Sequence, residues 1–255
     1  LSYDMYRVTD DALQTSKSIY EGGLVEYCHP DFIGSMENFA YIPNDQFFVK
    51  QWYLHNTKQG ANDGKSTSMD ADIDAPEAWD ITKGDSSISI AVLDLGLTSN
   101  HPDLPNTRQI RLNGSNFAAG YDGTTDKNDP SPKVSTTEGF HAHGNACAGV
   151  IAATQDNNQG ISGIAPLCKI LPIKLPLLDI SPMSIYADAI NFAALKTAKI
   201  ISISWGSPSP YVPTHLAILN AITNNKLVVI AAGNNADNST HDSGFVQFPA
   251  NAVIE

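Results

Sequence analysis

Cysteine is scarce in this sequence, and what there is excludes two scaffolds. Cys28, Cys147 and Cys168 are odd in number and widely spaced, so they build no disulfide framework, and no Cys-x-x-Cys pair points to zinc. Positive charge is also short, with 15 Lys and Arg against 27 Asp and Glu and a formal charge of −12. Such a chain has no basic surface to neutralise phosphates, which excludes nucleic acid as its main partner. No apolar run approaches the roughly 20 residues that a membrane span requires. No Gly-x-Gly-x-x-Gly follows the first strand of a βαβ unit, which argues against a dinucleotide-binding domain. There is no internal repeat. An initiator Met and a charged-then-apolar leader are both missing at Leu1, so the start reads as cut.

What is present describes a globular chain. Hydrophobic residues make up 42% and charged residues 16% of 255 positions, enough for one large α/β domain with room for a small appendage. Asp10 to Glu21 is predicted as a short helix, capped by Thr9 or Asp10 and stopped by Gly22-Gly23. A strand is predicted at Leu24 to Tyr27, before the Pro30 breaker, and His55 to Asp72 is predicted as loop. Asp74-Ala75-Pro76-Glu77 is a helix start, with a capping Asp, Pro in the first turn and Glu three residues after the cap.

From there the rhythm is regular. Strands are predicted at Ile88 to Leu93, Lys169 to Lys174, Ile200 to Ser204 and, as a buried strand, Leu227 to Ala231. Helices are predicted at His143 to Ala153, Pro182 to Thr197 with Ser181 as cap, and Thr214 to Thr223. In the second helix Tyr186, Ile190 and Ala193 share one face. Alternating strands and helices in short steps mean a mostly parallel sheet with helices on both faces, a three-layer α/β fold.

Three polar features sit where such a sheet places its chemistry, beyond the carboxyl ends of the strands. Asp94 directly follows an apolar strand, though alone an Asp there is usually a turn or cap residue. His143 opens the small-residue run His143-Gly144-Asn145-Ala146-Cys147-Ala148-Gly149, and alone reads best as a capping or core histidine. Ala232-Gly233-Asn234 closes the last strand, either as a turn or as an amide donor aimed at developing negative charge.

Taken together and in order, these features resemble the subtilisin-like, or subtilase, family of serine proteases. Val92-Leu93-Asp94-Leu95-Gly96, with His101-Pro102-Asp103-Leu104 after it, looks like the family's aspartate motif, and the run from His143 like its histidine motif. Ser204-Trp205-Gly206 looks like its substrate-strand motif and Ala232-Gly233-Asn234 like its oxyanion motif. The order Asp before His, with Ser to follow, is the subtilisin order. The resemblance implies a catalytic domain over residues 41–255 that hydrolyses extended polypeptides. Asp94 would orient His143, His143 would serve as general base and then acid, and Asn234 would donate to the oxyanion. Ser204, Trp205 and Gly206 would offer backbone groups to a substrate that adds as a strand.

The sequence also departs from the pattern. Leu95 stands where the family usually has Ser or Thr, and Asn145 where it has Thr. No Gly-Thr-Ser-x-x-x-Pro motif occurs, so the chain reads as stopping before its nucleophile and is expected to be inactive on its own. A non-catalytic homologue that binds peptides in the same cleft is the alternative.

The resemblance extends to a structural calcium ion. Asp45, Asp103 and the Asn157 side chain would supply carboxylate and amide oxygens, and Thr154, Gln159 and Ile161 would supply carbonyls. A second acidic cluster, Asp122, Asp126 and Asp129, lacks EF-hand spacing and reads as a solvated loop. Residues 1–40 resemble the tail of a prodomain, which would act as an intramolecular inhibitor. The family likeness further implies export to the cell exterior or envelope. Cys147, one turn after His143, reads as small-residue packing.

Overall fold

The computed structural model describes residues 11–23, 25, 26, 28, 41–59, 68–133, 142–176, 181–234 and 246–252. The chain divides into two compact units, Leu1–Phe39 and Ala40–Glu255. The first contains α1 (Ala12–Glu21), whose cap is Asp11: its Oδ1 accepts from the N–H groups of Leu13 and Gln14 at 2.9 and 3.1 Å. The helix therefore starts later than the sequence predicts, because Asp11 has the short acceptor two and three residues before those orphan donors. Of the strand predicted at Leu24 to Tyr27, only Val25 and Glu26 lie among the described residues, and both are in a bend.

The second unit holds α2 (Ala75–Ile81), β1 (Ser89–Asp94), α3 (His143–Ala152), β2 (Lys169–Lys174), α4 (Ser184–Ala194), β3 (Ile200–Ile203), α5 (Val212–Thr223) and β4 (Leu227–Ile230). All strand pairs are parallel and the order across the sheet is β2-β1-β3-β4. β1 is central and buried at every position, which is why its sequence is an unbroken apolar run rather than an alternation.

The pleat divides the apolar side chains between two layers. Ala91, Leu93, Leu171, Ile173, Ile201 and Ile203 pack with Tyr186, Ile190 and Ala193 of α4 and Ala217 and Ile218 of α5. Ile90, Val92 and Ile170 face the other way, onto Ala148 and Ala152 of α3. Each fully buried Leu or Ile contributes about 1.5–3 kcal/mol relative to exposure. These two layers fix the sheet, and with it the ends of its strands. The chain leaves β1 for β2 on one side and later reaches β3 on the other. The resulting topological switch lies at the carboxyl ends of β1 and β3, where such sheets open a crevice.

Several local expectations need correction. Asp74 occupies the N-cap of α2 but with φ at 51° and no side-chain capping bond; its own N–H donates to Asp72 Oδ1 at 2.7 Å. α4 begins at Ser184 with Met183 at the cap, not Ser181. β4 is not buried. Leu227 is 61% and Val229 51% exposed, because β4 is the edge strand among the described residues.

The second acidic cluster is solvated at Asp126 and Asp129, which are exposed, but not at Asp122. Lys174, 2% exposed, ends β2 with its ammonium 2.8 Å from Asp122 Oδ2. A buried ammonium requires an anion beside it. Burial opposes ionisation of Asp122, but Lys174 and the Thr124 hydroxyl and N–H outweigh it and hold the carboxyl below the usual carboxylate range. Asp129 pairs with Arg111 at 2.6 Å, while Asp126 accepts from the N–H of Asn128.

Candidate active site

Asp94 is the last residue of β1 and His143 the first of α3, and the fold brings them together. The carboxylate is buried, and its Oδ1 and Oδ2 lie 2.8 and 2.9 Å from His143 Nδ1. The imidazole is half-exposed, so its other nitrogen, Nε2, is left for a reacting partner. Asp94 Oδ1 also accepts from the N–H of Leu95 at 2.7 Å. The backbone thus supplies the acid with a hydrogen bond at the position where Leu95 has no hydroxyl to offer.

Glycine makes the convergence possible. A Cβ on Gly144 would lie 2.1 Å from the Gly96 carbonyl oxygen, so helix start and strand end meet backbone to backbone. Gly96 has φ of +108°, and a Cβ there would lie 2.5 Å from the Pro130 carbonyl oxygen. Next to this contact, Asn145 Oδ1 accepts from the Thr98 N–H and its Nδ2 donates to Thr98 Oγ1, both at 2.8 Å. One amide therefore ties α3 to the turn after β1. Asn145 is a departure from the family pattern with a defined role. Arg111 adds bonds to Leu97 O, Gln109 Oε1, Asp129 Oδ1 and Ser131 Oγ, fastening the preceding loop over the same turn.

Cys147 Sγ lies 3.7 Å from His143 Nδ1 and also meets Ser204 and Asp94. Burial pushes its thiol up to about 11, with the Ser204 contact pulling down and the Asp94 charge pushing further up. A thiol with so little thiolate at neutral pH is no nucleophile. Asp94, His143 and Cys147 bring three donor atoms within 4.8 Å, but a protonated thiol is a poor metal ligand.

Ser204 directly follows β3, whose Ile203 registers with Leu93, so it stands beside Asp94. Trp205 turns its ring into the core, edge-on to Tyr186 at 4.8 Å. Among the described residues neither Trp205 nor Gly206 makes a backbone hydrogen bond. Asn234 lies beyond β4, exposed, after Gly233 with φ of +100°. The structure does not bring it into hydrogen-bond contact with Asp94 or His143; it shares with them only the carboxyl edge of the sheet.

Away from this pair, Asp45 and Asp103 are both buried with no ion-pair partner among the described residues. Asp45 accepts from the N–H groups of Asp156 and Asn157, each at 3.2 Å, and from Ser162 Oγ at 3.0 Å. Asp103 accepts from Asn157 Nδ2 at 2.8 Å and the Ile161 N–H at 2.9 Å. A Cβ on Gly160 would lie 2.0 Å from Asp103 Oδ2. Among the described residues, the carbonyls of Thr154, Gln159 and Ile161 accept no backbone hydrogen bond. The Thr154 hydroxyl is buried without a partner among the described residues. Asn157 differs from the sequence expectation, turning its Nδ2 to Asp103 while its Oδ1 accepts from the Gln159 N–H at 2.8 Å.

Comparison with known proteins places the chain among the subtilases and their fold. The profile of the subtilase family matches residues 85–253. A thermophilic serine proteinase of a Bacillus species is 31% identical over 227 residues, which is 89% of this chain and 48% of the relative. Thermitase of Thermoactinomyces vulgaris is 34% identical over 76% of this chain and 58% of its own length. The major intracellular serine protease of Bacillus subtilis is 38% identical over 65% of this chain and 48% of its own. The chain thus spans about half the length of the curated relatives it matches. Among solved structures, a protease from Pseudoalteromonas arctica aligns with a TM-score of 0.59 and 30% identity, over 75% of this chain and 59% of that one.

The Gly96–Gly144 contact generates a test. Gly144→Ala places its methyl against a backbone oxygen that cannot yield, so it is expected to cost at least about 1–3 kcal/mol of stability. It should also separate His143 from Asp94. Denaturant unfolding and the imidazole proton resonances check both, and a variant with unchanged midpoint and resonances contradicts the contact.

Proposed function

The chain belongs to the subtilase family, and from that premise we propose that it supplies the acid, the base and the oxyanion donor of a serine endopeptidase acting on extended polypeptides. The observation that carries the reading is the Asp94–His143 hydrogen bond at 2.8 Å.

In the reaction the substrate backbone lies along Ser204, Trp205 and Gly206, a role supported by the backbone groups of the last two, which have no backbone partner among the described residues. Asp94 keeps the proton on Nδ1 and stabilises the imidazolium once it forms. His143 Nε2 then takes the proton of a serine hydroxyl as its oxygen bonds to the scissile carbonyl carbon. The Asn234 amide donates to the oxygen that becomes negative. His143 returns the proton to the departing amine, the C–N bond breaks, and water repeats the sequence on the acyl-enzyme. The serine of this scheme belongs to a Gly-Thr-Ser-x-x-x-Pro motif, which does not occur in the 255 residues.

Asp45, Asp103 and the loop 154–161 are the residues that would hold a calcium ion. Among the described residues, two buried carboxylates without a cationic side chain and three carbonyls without a backbone donor suit a hard cation. The Asn157 amide would rotate to present Oδ1. Bound calcium would supply positive charge that screens the two acids and fixes the loop. Two relatives, from Nostoc and Trichormus variabilis, are named calcium-dependent proteases, each 33% identical over 72% of this chain.

Unit Leu1–Phe39 is read as the tail of a prodomain that inhibits its own catalytic domain. Export is the proposed location, resting on family resemblance; two relatives are named intracellular proteases. No helix among the described residues is long and apolar enough to cross a membrane.

Three measurements test these readings. In the protein expressed from its complete reading frame, Asp94→Asn should lower kcat on a peptide substrate by about 10⁴-fold and His143→Ala by about 10⁶-fold. Asn234→Ala should lower it by about 10²–10³-fold, the effect of removing one oxyanion donor in a subtilisin. Full activity in any of the three refutes the corresponding role. For calcium, adding EGTA should lower Tm by several degrees, since ligand at 100 times its Kd stabilises by about 2.7 kcal/mol. An unchanged Tm removes the ion. For the prodomain, N-terminal sequencing of active material should begin close to Tyr41, and retention of residues 1–31 throughout refutes processing.

A further inference from the structure

Arg111 belongs to none of the motifs, yet its side chain reaches the contact on which the active pair depends. It is rooted beside β2, where Gln109 bridges to Ile170 and the Ile110 N–H donates to Ile170 O at 2.7 Å. Its side chain is mostly buried, and the guanidinium divides its donors between two segments. Nη1 donates to Leu97 O at 3.1 Å and to Gln109 Oε1 at 2.8 Å. Nη2 donates to Asp129 Oδ1 at 2.6 Å and to Ser131 Oγ at 2.7 Å. The first nitrogen thus serves the turn after Asp94, and the second serves the loop that covers that turn.

Both routes lead to the acid and the base. On the loop side, Pro130 O accepts from the Leu97 N–H at 3.0 Å, and a Cβ on Gly96 would lie 2.5 Å from that carbonyl oxygen and 2.8 Å from Pro132 N. Gly96 in turn meets Gly144, the neighbour of His143. On the turn side, Gln109 is buried, and its Nε2 donates to Thr98 O at 2.9 Å and to Leu104 O at 2.7 Å. Thr98 is the residue that Asn145 clasps. We infer that Arg111 is a positioning residue of the catalytic centre, one guanidinium that locks the loop 129–132 to the turn 96–98 and so holds Asp94 and His143 at hydrogen-bonding distance. This rests on the endopeptidase reading and adds to it a residue that touches neither substrate nor reacting atoms. The task needs a planar fork with donors directed both ways. A lysine carries its donors on one nitrogen at the end of a flexible stem and cannot serve four acceptors on two segments.

The test compares two arginines in the protein from its complete reading frame. Arg108 also fastens α3 and β2, donating to Ala152 O at 3.2 Å and Cys168 O at 3.0 Å, but at the end of the helix remote from His143. Arg111→Ala should lower kcat on a peptide substrate by about 10²-fold, the effect of a misplacement of about 1 Å, and leave KM nearly unchanged. Arg111→Lys should stay at least about tenfold down. Arg108→Ala should lower Tm and leave kcat nearly unchanged. By NMR, the Nδ1–H resonance of His143 should exchange faster in Arg111→Ala and persist in Arg108→Ala. Should Arg111→Ala fail to fold, Asp129→Ala, at an exposed carboxylate, should lower kcat by about tenfold. A kcat that Arg111→Ala or Asp129→Ala leaves unchanged, one that lysine restores, or a loss that Arg108→Ala matches overturns the assignment of Arg111 while leaving the protease reading intact. A wild type that cleaves no peptide overturns the reading beneath it as well.

Discussion

A buried carboxylate held within 3 Å of an imidazole is the constraint on which the site depends. Asp94 and His143 are 49 residues apart and come from different kinds of element. Their meeting is a property of the whole sheet. β1 is central, α3 packs on one face of it, and the two elements touch through glycine backbone at Gly96 and Gly144. Any side chain between them would hold the ring away from the acid. The small-residue run at the start of α3 is therefore the condition under which the helix approaches closely enough to be useful. Around that contact the chain adds polar ties, from Asn145 to Thr98 and from Arg111 to the loop over Gly96. They act on the backbone that carries the acid and the base, not on the reacting atoms.

The parts of this arrangement that were legible in the sequence are those with a local signature. The unbroken apolar run of β1 and its terminal Asp marked a buried strand and the end that faces the crevice. The Gly- and Ala-rich run after His143 marked a closely packed helix, and the family resemblance joined the two. The parts that were not legible depend on partners far away along the chain. Nothing in the residues around Lys174 announces that it is buried, and nothing around Asp122 that it is the counter-ion. The exposure of β4 is not legible for a related reason. Apolar composition identifies a strand, but which of its faces is covered depends on its neighbours. Cap assignments missed by one or two residues, since several nearby Asp and Ser residues can compete for the same orphan donors.

Negative charge runs through the unit in two ways. At the active pair it is used singly: Asp94 is buried, faces an imidazole and receives one backbone N–H. The same carboxylate, together with burial, helps keep Cys147 a thiol, so the sulfur beside the base is chemically quiet. At Asp45 and Asp103, among the described residues, two carboxylates are buried on neutral donors alone, an arrangement that is costly without a cation. At Asp122 the same cost is met within the chain by Lys174. The contrast between a carboxylate given a lysine and two given only N–H and O–H donors is the physical basis for reading an ion at the second place and none at the first.

The central claim concerns one proton, on His143 Nδ1 and directed at Asp94. Proton and nitrogen NMR of selectively labelled histidine, at neutral pH in the protein from its complete reading frame, observes that proton directly. The account predicts a far-downfield Nδ1–H that is protected from exchange, with Nε2 unprotonated, and its loss when Asp94 is replaced by Asn. An imidazole protonated on Nε2, or one exchanging as freely as an exposed histidine, would contradict it.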